Sequence, residues 1–152
     1  MTPTILSRIH SIWEASALSM NKITTITSSM TLQSVPPPPP SDLPNSLGFS
    51  SDSTPEKDVV LCLIPIFFEN SDAQGELDVA TQDVIHSIDQ VAEQEKASKK
   101  FTYLNYAARW QNPLRDYGSH VFGDLQQVAK KYDPQGIFQD QVGGFKLFRE
   151  KK

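Results

Sequence analysis

The sequence predicts an α+β fold in which an antiparallel sheet is layered with helices. Apolar residues recur at helical spacing in three segments, 4–18, 76–96 and 115–132. Between them lie three stretches of strand composition, 28–35, 59–68 and 101–107. The resulting order is helix, strand, loop, strand, helix, strand, helix, with no internal repeat.

In the first segment Ile5, Ile9, Ile12 and Trp13 fall at i, i+4, i+7 and i+8, one apolar stripe on a helix. Pro3 sits near its first turn, where a missing N–H costs nothing, and Thr2 or Thr4 is placed to cap it. The Thr/Ile-rich run that follows predicts a strand over 28–35. Pro36 to Pro40 ends any ladder pairing, and the Ser/Asp/Pro-rich residues to about 57 read as a long surface loop. The pentaproline is read as a stiff connector rather than a polyproline II ligand. VVLCLIPIFF, 59–68, predicts a central strand covered on both faces, with Pro65 marking a bulge or an edge position. After a turn at 69–75, Leu77, Thr81, Val84, Ile85, Ile88, Val91 and Ala92 define the second helix, with Asp and Glu opposite. A third strand at 101–107 leads to a helix over 115–132 that buries Val121, Phe122, Leu125, Val128, Ala129 and Tyr132. Asp133-Pro134-Gln135-Gly136 stops that helix, and Gly143-Gly144 is a turn before a final strand.

The chain has 152 residues, enough for one domain with a core. Its 11 prolines and 38% hydrophobic content leave part of the length to loops. A net charge of −4 and pI near 5.3 point away from nucleic acid as a partner, since the short Lys pairs are interrupted by acids. Cys62 is the single cysteine, which excludes an intrachain disulfide and a thiolate zinc site. It is read as a small core residue. His10, His86 and His120 share no ligand spacing and read as surface or helix-end residues. The carboxylates of the second helix form its polar face. Arg8, His10 and Glu14 interrupt the first apolar segment, and 59–68 is too short to span a bilayer. The expectation is a protein without a membrane partner, intracellular and cytoplasmic.

The most informative stretch is FTYLNYAARWQNPLRDYGSHVFGDLQQVAKKYDPQGIFQDQVGGFKL, 101–147. Its YxNY strand, amphipathic helix, YDPxG stop and GGFKL tail resemble the C-terminal end of FAD-linked oxidoreductases of the berberine-bridge-enzyme-like group, especially the fungal, oxygen-dependent members. ILSRIHSIWEASALSM, LQSVPPPPP, NSLGF and VVLCLIPIFF are similar to that family's substrate-domain half. Residues 5–147 resemble roughly the last third of such an enzyme. The implied organisation is a partial substrate-domain-like region at 1–100, a berberine-bridge-like segment at 101–148 and a tail at 149–152. The chain shows no Gly-rich flavin loop and no His or Cys in a covalent-flavin context, so the flavin-binding domain is expected to be missing.

The resemblance implies FAD as cofactor, a small-molecule substrate and a role in fungal secondary metabolism. It implies oxidation of an alcohol or amine-type carbon, or oxidative cyclisation, with hydride passing to flavin. Tyr106 is then the catalytic general base, Asn105 the flavin-contacting residue and Tyr103 a neighbour of the substrate. A phenol serves as base only if cationic or hydrogen-bonding neighbours lower its pKa from about 10. Strand geometry predicts Tyr106 and Leu104 on one side, Tyr103 and Asn105 on the other. From the four residues alone, both tyrosines also read as core-filling aromatics. Ala107-Ala108-Arg109 stand where many relatives carry an acid two positions after YxNY, and Arg109 and Trp110 are placed to meet a substrate. The alternatives are a truncated, non-catalytic remnant, a binding module, or a chain completed by a separate flavin-domain chain.

Overall fold

The computed structural model describes residues 2–36 and 59–148. The loop after Pro36, with Pro37–Pro40 and NSLGF, and the tail at 149–152 lie outside the described residues. The described residues divide into two compact units, 2–36 with 59–99, and 100–148. Mixed helix and small antiparallel ladders make the class α+β.

The first unit opens with α1 (Pro3–Met20). Between the two candidate caps the structure selects Thr2, whose Oγ1 accepts the Ile5 N–H at 3.3 Å, with Pro3 at the first helical position. Ile5, Ile9 and Met20 are buried, and the half-buried Ile12 packs against them. Trp13 at the edge of the stripe donates Nε1–H to Ser28 Oγ at 3.1 Å, tying helix to strand. The Asn21 side chain accepts the Ile26 N–H at 2.9 Å and fixes where the chain turns into the sheet.

The predicted strand at 28–35 is two strands, β1 (Ile26–Ser28) and β2 (Thr31–Val35). Residues 59–68 likewise divide into β3 (Val59–Leu63) and β4 (Ile66–Phe68). β1 pairs with β4 and β2 with β3, both antiparallel, Ile26 opposite Phe68 and Thr31 opposite Leu63. The two ladders share one register, so the break at Pro65 inserts no bulge. Proline lacks the N–H the ladder needs, and across the gap the Ser29 N–H reaches the Pro65 carbonyl at 3.4 Å.

The expected central position of 59–68 is corrected here. Among the described residues β3 and β4 each have one strand partner. Every residue of β3 is half-buried. A continuous apolar run is what a doubly covered strand carries, but composition does not say how many neighbours the strand has. Its even-numbered residues Cys62, Ile64, Ile66 and Phe68 pack with Ile26 and Met30 against the helical core. Val59, Leu61, Leu63 and Phe67 alternate with them onto the other face, where Phe67 is 65% exposed.

A short 3₁₀ turn, Ser71–Ala73, capped by Asn70, leads into α2 (Gln74–Gln94), two residues earlier than the spacing predicts. Leu77, Val84, Ile88 and Val91 are buried and complete the core with Ile5 and Ile9; each such side chain contributes about 1.5–3 kcal/mol on leaving water. The other predicted stripe residues, Thr81, Ile85 and Ala92, are half-buried. On the rim, Arg8 bonds Glu95 at 2.7 Å and Gln94 at 3.0 Å. As an exposed pair, Arg8 and Glu95 contribute at most about 1 kcal/mol. Cys62 is half-buried among apolar neighbours, and burial pushes its thiol pKa up, as suits an unreactive packing residue.

In the second unit the predicted helix at 115–132 is divided. α3 (Pro113–Asp116) and α4 (Ser119–Tyr132) are separated at Gly118, whose φ of +92° no helix accommodates. Its expected buried face is also corrected. No residue of α4 is fully buried; Val121, Phe122, Leu125 and Ala129 are half-buried, while Val128 and Tyr132 are exposed. The Asp133–Gly136 stop forms as expected. Gly136 is left-handed, and Asp133 accepts the Ile137 and Phe138 N–H groups at 2.8 and 2.9 Å, starting α5 (Ile137–Asp140). Gly144 turns at φ +95°, but no strand follows among the described residues. Residues 146–147 are held by side-chain bonds instead: Lys146 Nζ donates to the Phe138 and Val142 carbonyls, and Gln126 and Gln139 bond the Leu147 backbone.

One strained position makes a test. α2 ends with Ala97 N–H on the Ala92 carbonyl and Lys96 N–H on that of Glu93, with Lys96 left-handed at φ +53°. This is the position that glycine prefers. Lys96→Gly is expected to stabilise the protein by about 1 kcal/mol, read as a raised urea midpoint with an unchanged denaturant slope.

Candidate functional site

Residues 101–107 do not form the predicted strand. Leu104–Tyr106 is a 3₁₀ turn, closed by Tyr106 N–H on the Tyr103 carbonyl at 3.0 Å and Ala107 N–H on that of Leu104 at 3.4 Å. Once the backbone bonds to itself at i+3, it offers no ladder to a neighbour. The expected sidedness changes with it. In a 3₁₀ turn positions i and i+3 eclipse, so Tyr103 and Tyr106 share a side. Their rings meet edge to face, with centroids 4.9 Å apart and planes at 86°, the arrangement the ring quadrupoles favour.

The three residues singled out in the sequence therefore lie together. Asn105 Nδ2 donates to the Tyr103 hydroxyl at 2.9 Å. Tyr103 is half-buried, while Asn105 and Tyr106 are exposed, the latter at 47%. The tyrosines thus do not fill a core. Arg109 is exposed and Trp110 half-buried just beyond the turn.

The residues that hold this turn carry no sequence signal of their own. Thr102 Oγ1 donates to Asp116 Oδ2 at 2.6 Å, and Phe101 stacks on Tyr117 at 5.8 Å. After the turn, Ala108 N–H bonds Gln111 Oε1 at 2.8 Å and Gln111 N–H returns to the Ala108 carbonyl at 2.9 Å. Pro113, fully buried, then starts α3. Arg115 lies over the Phe122 ring at 5.0 Å and joins α3 to α4. Asn112-Pro113 marks a helix start, but no periodicity pairs Thr102 with a residue fourteen positions on.

The histidines are placed separately: His10 packs edge-on against Trp13, His86 bonds Gln90, and His120 bonds Asp124. No group of three potential metal ligands is found among the described residues. No helix among them is long and apolar enough to cross a membrane.

Comparison with known proteins gives the context. The chain is 36% identical over 91 residues to the FAD-dependent monooxygenase drtC of Aspergillus calidoustus, covering 59% of this chain and 17% of that one. It is 44% identical over 69 residues to the FAD-dependent monooxygenase sdcF of Emericella nidulans, covering 45% and 14%. It is 43% identical over 67 residues to the bifunctional solanapyrone synthase of Alternaria solani, covering 40% and 13%. The chain thus matches 13–17% of the length of these relatives. No family model matches, and no solved structure does. The similarity is thus to fungal proteins, two of which are named FAD-dependent monooxygenases.

The described residues do not make an FAD site by themselves. Their left-handed glycines, Gly118, Gly136 and Gly144, serve helix junctions and a turn, none in a strand–loop–helix cradle for pyrophosphate. No buried side-chain polar atom among them is left without a partner to offer a ligand, and one N–H of the exposed Asn105 amide goes to Tyr103.

The packing beneath the turn has a titration signature. Burial, with the Tyr103 phenol and Asp116 carboxylate adding to it, pushes the Tyr117 pKa above its ordinary value. A phenol raised on folding binds its proton more tightly in the native state. Its contribution is therefore intact below the ordinary phenol range and declines as pH climbs through the raised value. Tyrosinate absorbance should show a step above the ordinary range that is absent in Tyr117→Phe, and alkaline unfolding should start at higher pH in that variant.

Proposed function

We propose that this chain supplies the substrate-side layer and C-terminal segment of an FAD-linked oxidoreductase of the berberine-bridge-enzyme-like group, in fungal secondary metabolism. The observation that carries the reading is the convergence of Tyr103, Asn105 and Tyr106 in one exposed turn, in a chain similar to FAD-dependent monooxygenases. The substrate is a small molecule, oxidised at an alcohol or amine-type carbon or closed into a ring.

In this reading Tyr106 is the catalytic residue. Its exposed phenol takes the proton of the substrate hydroxyl or amine, and the ring of Tyr103 against it limits its rotation. Asn105 holds Tyr103 and is the flavin-facing member of the turn. FAD, the oxidant, is held outside the described residues, as by a separate flavin-domain chain. The incomplete cofactor site favours a second reading, in which the same layer persists as a non-catalytic binding or partner module.

A chimera separates the two. This chain is substituted for the matching segment of drtC, and turnover of that enzyme's own substrate is followed beside flavin absorbance. The catalytic reading expects a yellow, active chimera in which Tyr106→Phe lowers kcat by about 10²-fold or more, with flavin content unchanged. A yellow chimera whose turnover ignores Tyr106→Phe refutes the role of Tyr106. A yellow chimera with no turnover supports the module.

A further inference from the structure

We infer that Asp116 is a positioning residue for the Tyr103–Tyr106 turn, acting through Thr102. The inference rests on the reading that this turn faces the substrate, and names what sets its direction.

Two i+3 bonds of 3.0 and 3.4 Å are the backbone closure of the turn, and so short a 3₁₀ segment has little stability of its own. None of its residues is buried. Its geometry must come from its flanks, and both flanks are anchored on α3. Upstream, Thr102 donates to the Asp116 carboxylate at 2.6 Å, a short charge-assisted bond in a half-buried setting. The preceding residue, Phe101, stacks on Tyr117, the residue following Asp116. Downstream, the paired bonds of Ala108 and Gln111 deliver the chain to Pro113 at the opposite end of α3. Pro113 and Tyr117 are the buried members of this stretch, so α3 is a fixed base and the turn is strung between its two ends. Tyr103 immediately follows Thr102. The Thr102–Asp116 bond therefore sets the direction of its ring, and the edge-to-face contact passes that direction to Tyr106.

The test uses the full chain with isotope-labelled tyrosine, reading the nuclear Overhauser contact between the Tyr103 and Tyr106 rings. Asp116→Ala is expected to lose this contact and the associated ring-current shifts. Asp116→Asn, which keeps an acceptor for Thr102, is expected to retain them. Thr102→Val removes only the hydroxyl and should lose the contact while circular dichroism stays native; it carries the test if Asp116→Ala fails to fold. Retention of the ring contact in Thr102→Val, or its equal loss in Asp116→Asn and Asp116→Ala, overturns the inference. The readout needs neither flavin nor substrate. Failure of the catalytic reading would show instead as turnover indifferent to Tyr106 with the ring contact intact.

Discussion

One antiparallel register organises the first unit. Because 26–28 and 31–35 pair with 66–68 and 59–63 in the same register on both sides of Pro65, side-chain parity survives the interruption. Ile26, Met30, Cys62, Ile64, Ile66 and Phe68 all reach the helices. A one-residue slip would turn this set away from α1 and α2. Trp13 and Asn21 pin the register from the helix side, one through Ser28 and the other through Ile26. Among its described residues the second unit has no ladder and few buried side chains. It relies on specific hydrogen bonds at helix ends and turns, among them those of Asp133, Gln126, Gln139 and Asp116.

That contrast explains which parts were legible in the sequence. Where burial supplies the stability, periodicity reports it: α1 and α2 follow their apolar spacing. Thr2 and Pro3 mark the start of α1 by local chemistry, as the Asp133–Gly136 stop marks the end of α4. Where long-range hydrogen bonds supply it, composition misleads. Tyr-Leu-Asn-Tyr has strand composition, yet four residues contain too little periodicity to separate a strand from a 3₁₀ turn. GGFKL looks like a strand, but its backbone goes to Gln126 and Gln139, partners no local pattern announces. Gly118 was a readable sign of a helix break inside 115–132. The apolar spacing on either side masked it.

The candidate site follows the same division. Its members Tyr103, Asn105 and Tyr106 stand out by motif, while their sidedness needed the turn and their anchors needed the fold. The 3₁₀ geometry brings the two phenols into contact where a strand would have parted them. It also gives the Asn105 amide to Tyr103. The similarity to the three relatives compared covers 17% or less of each, and the described residues contain no pyrophosphate cradle. The proposed function rests on the first of these and on the geometry of the turn.

The most direct measurement of where FAD is held is an FAD titration of the purified chain, followed by flavin absorbance and fluorescence after gel filtration. A colourless protein that elutes without flavin after incubation with excess FAD is expected. Retention of one FAD per chain, with the bound-flavin spectrum, would contradict it.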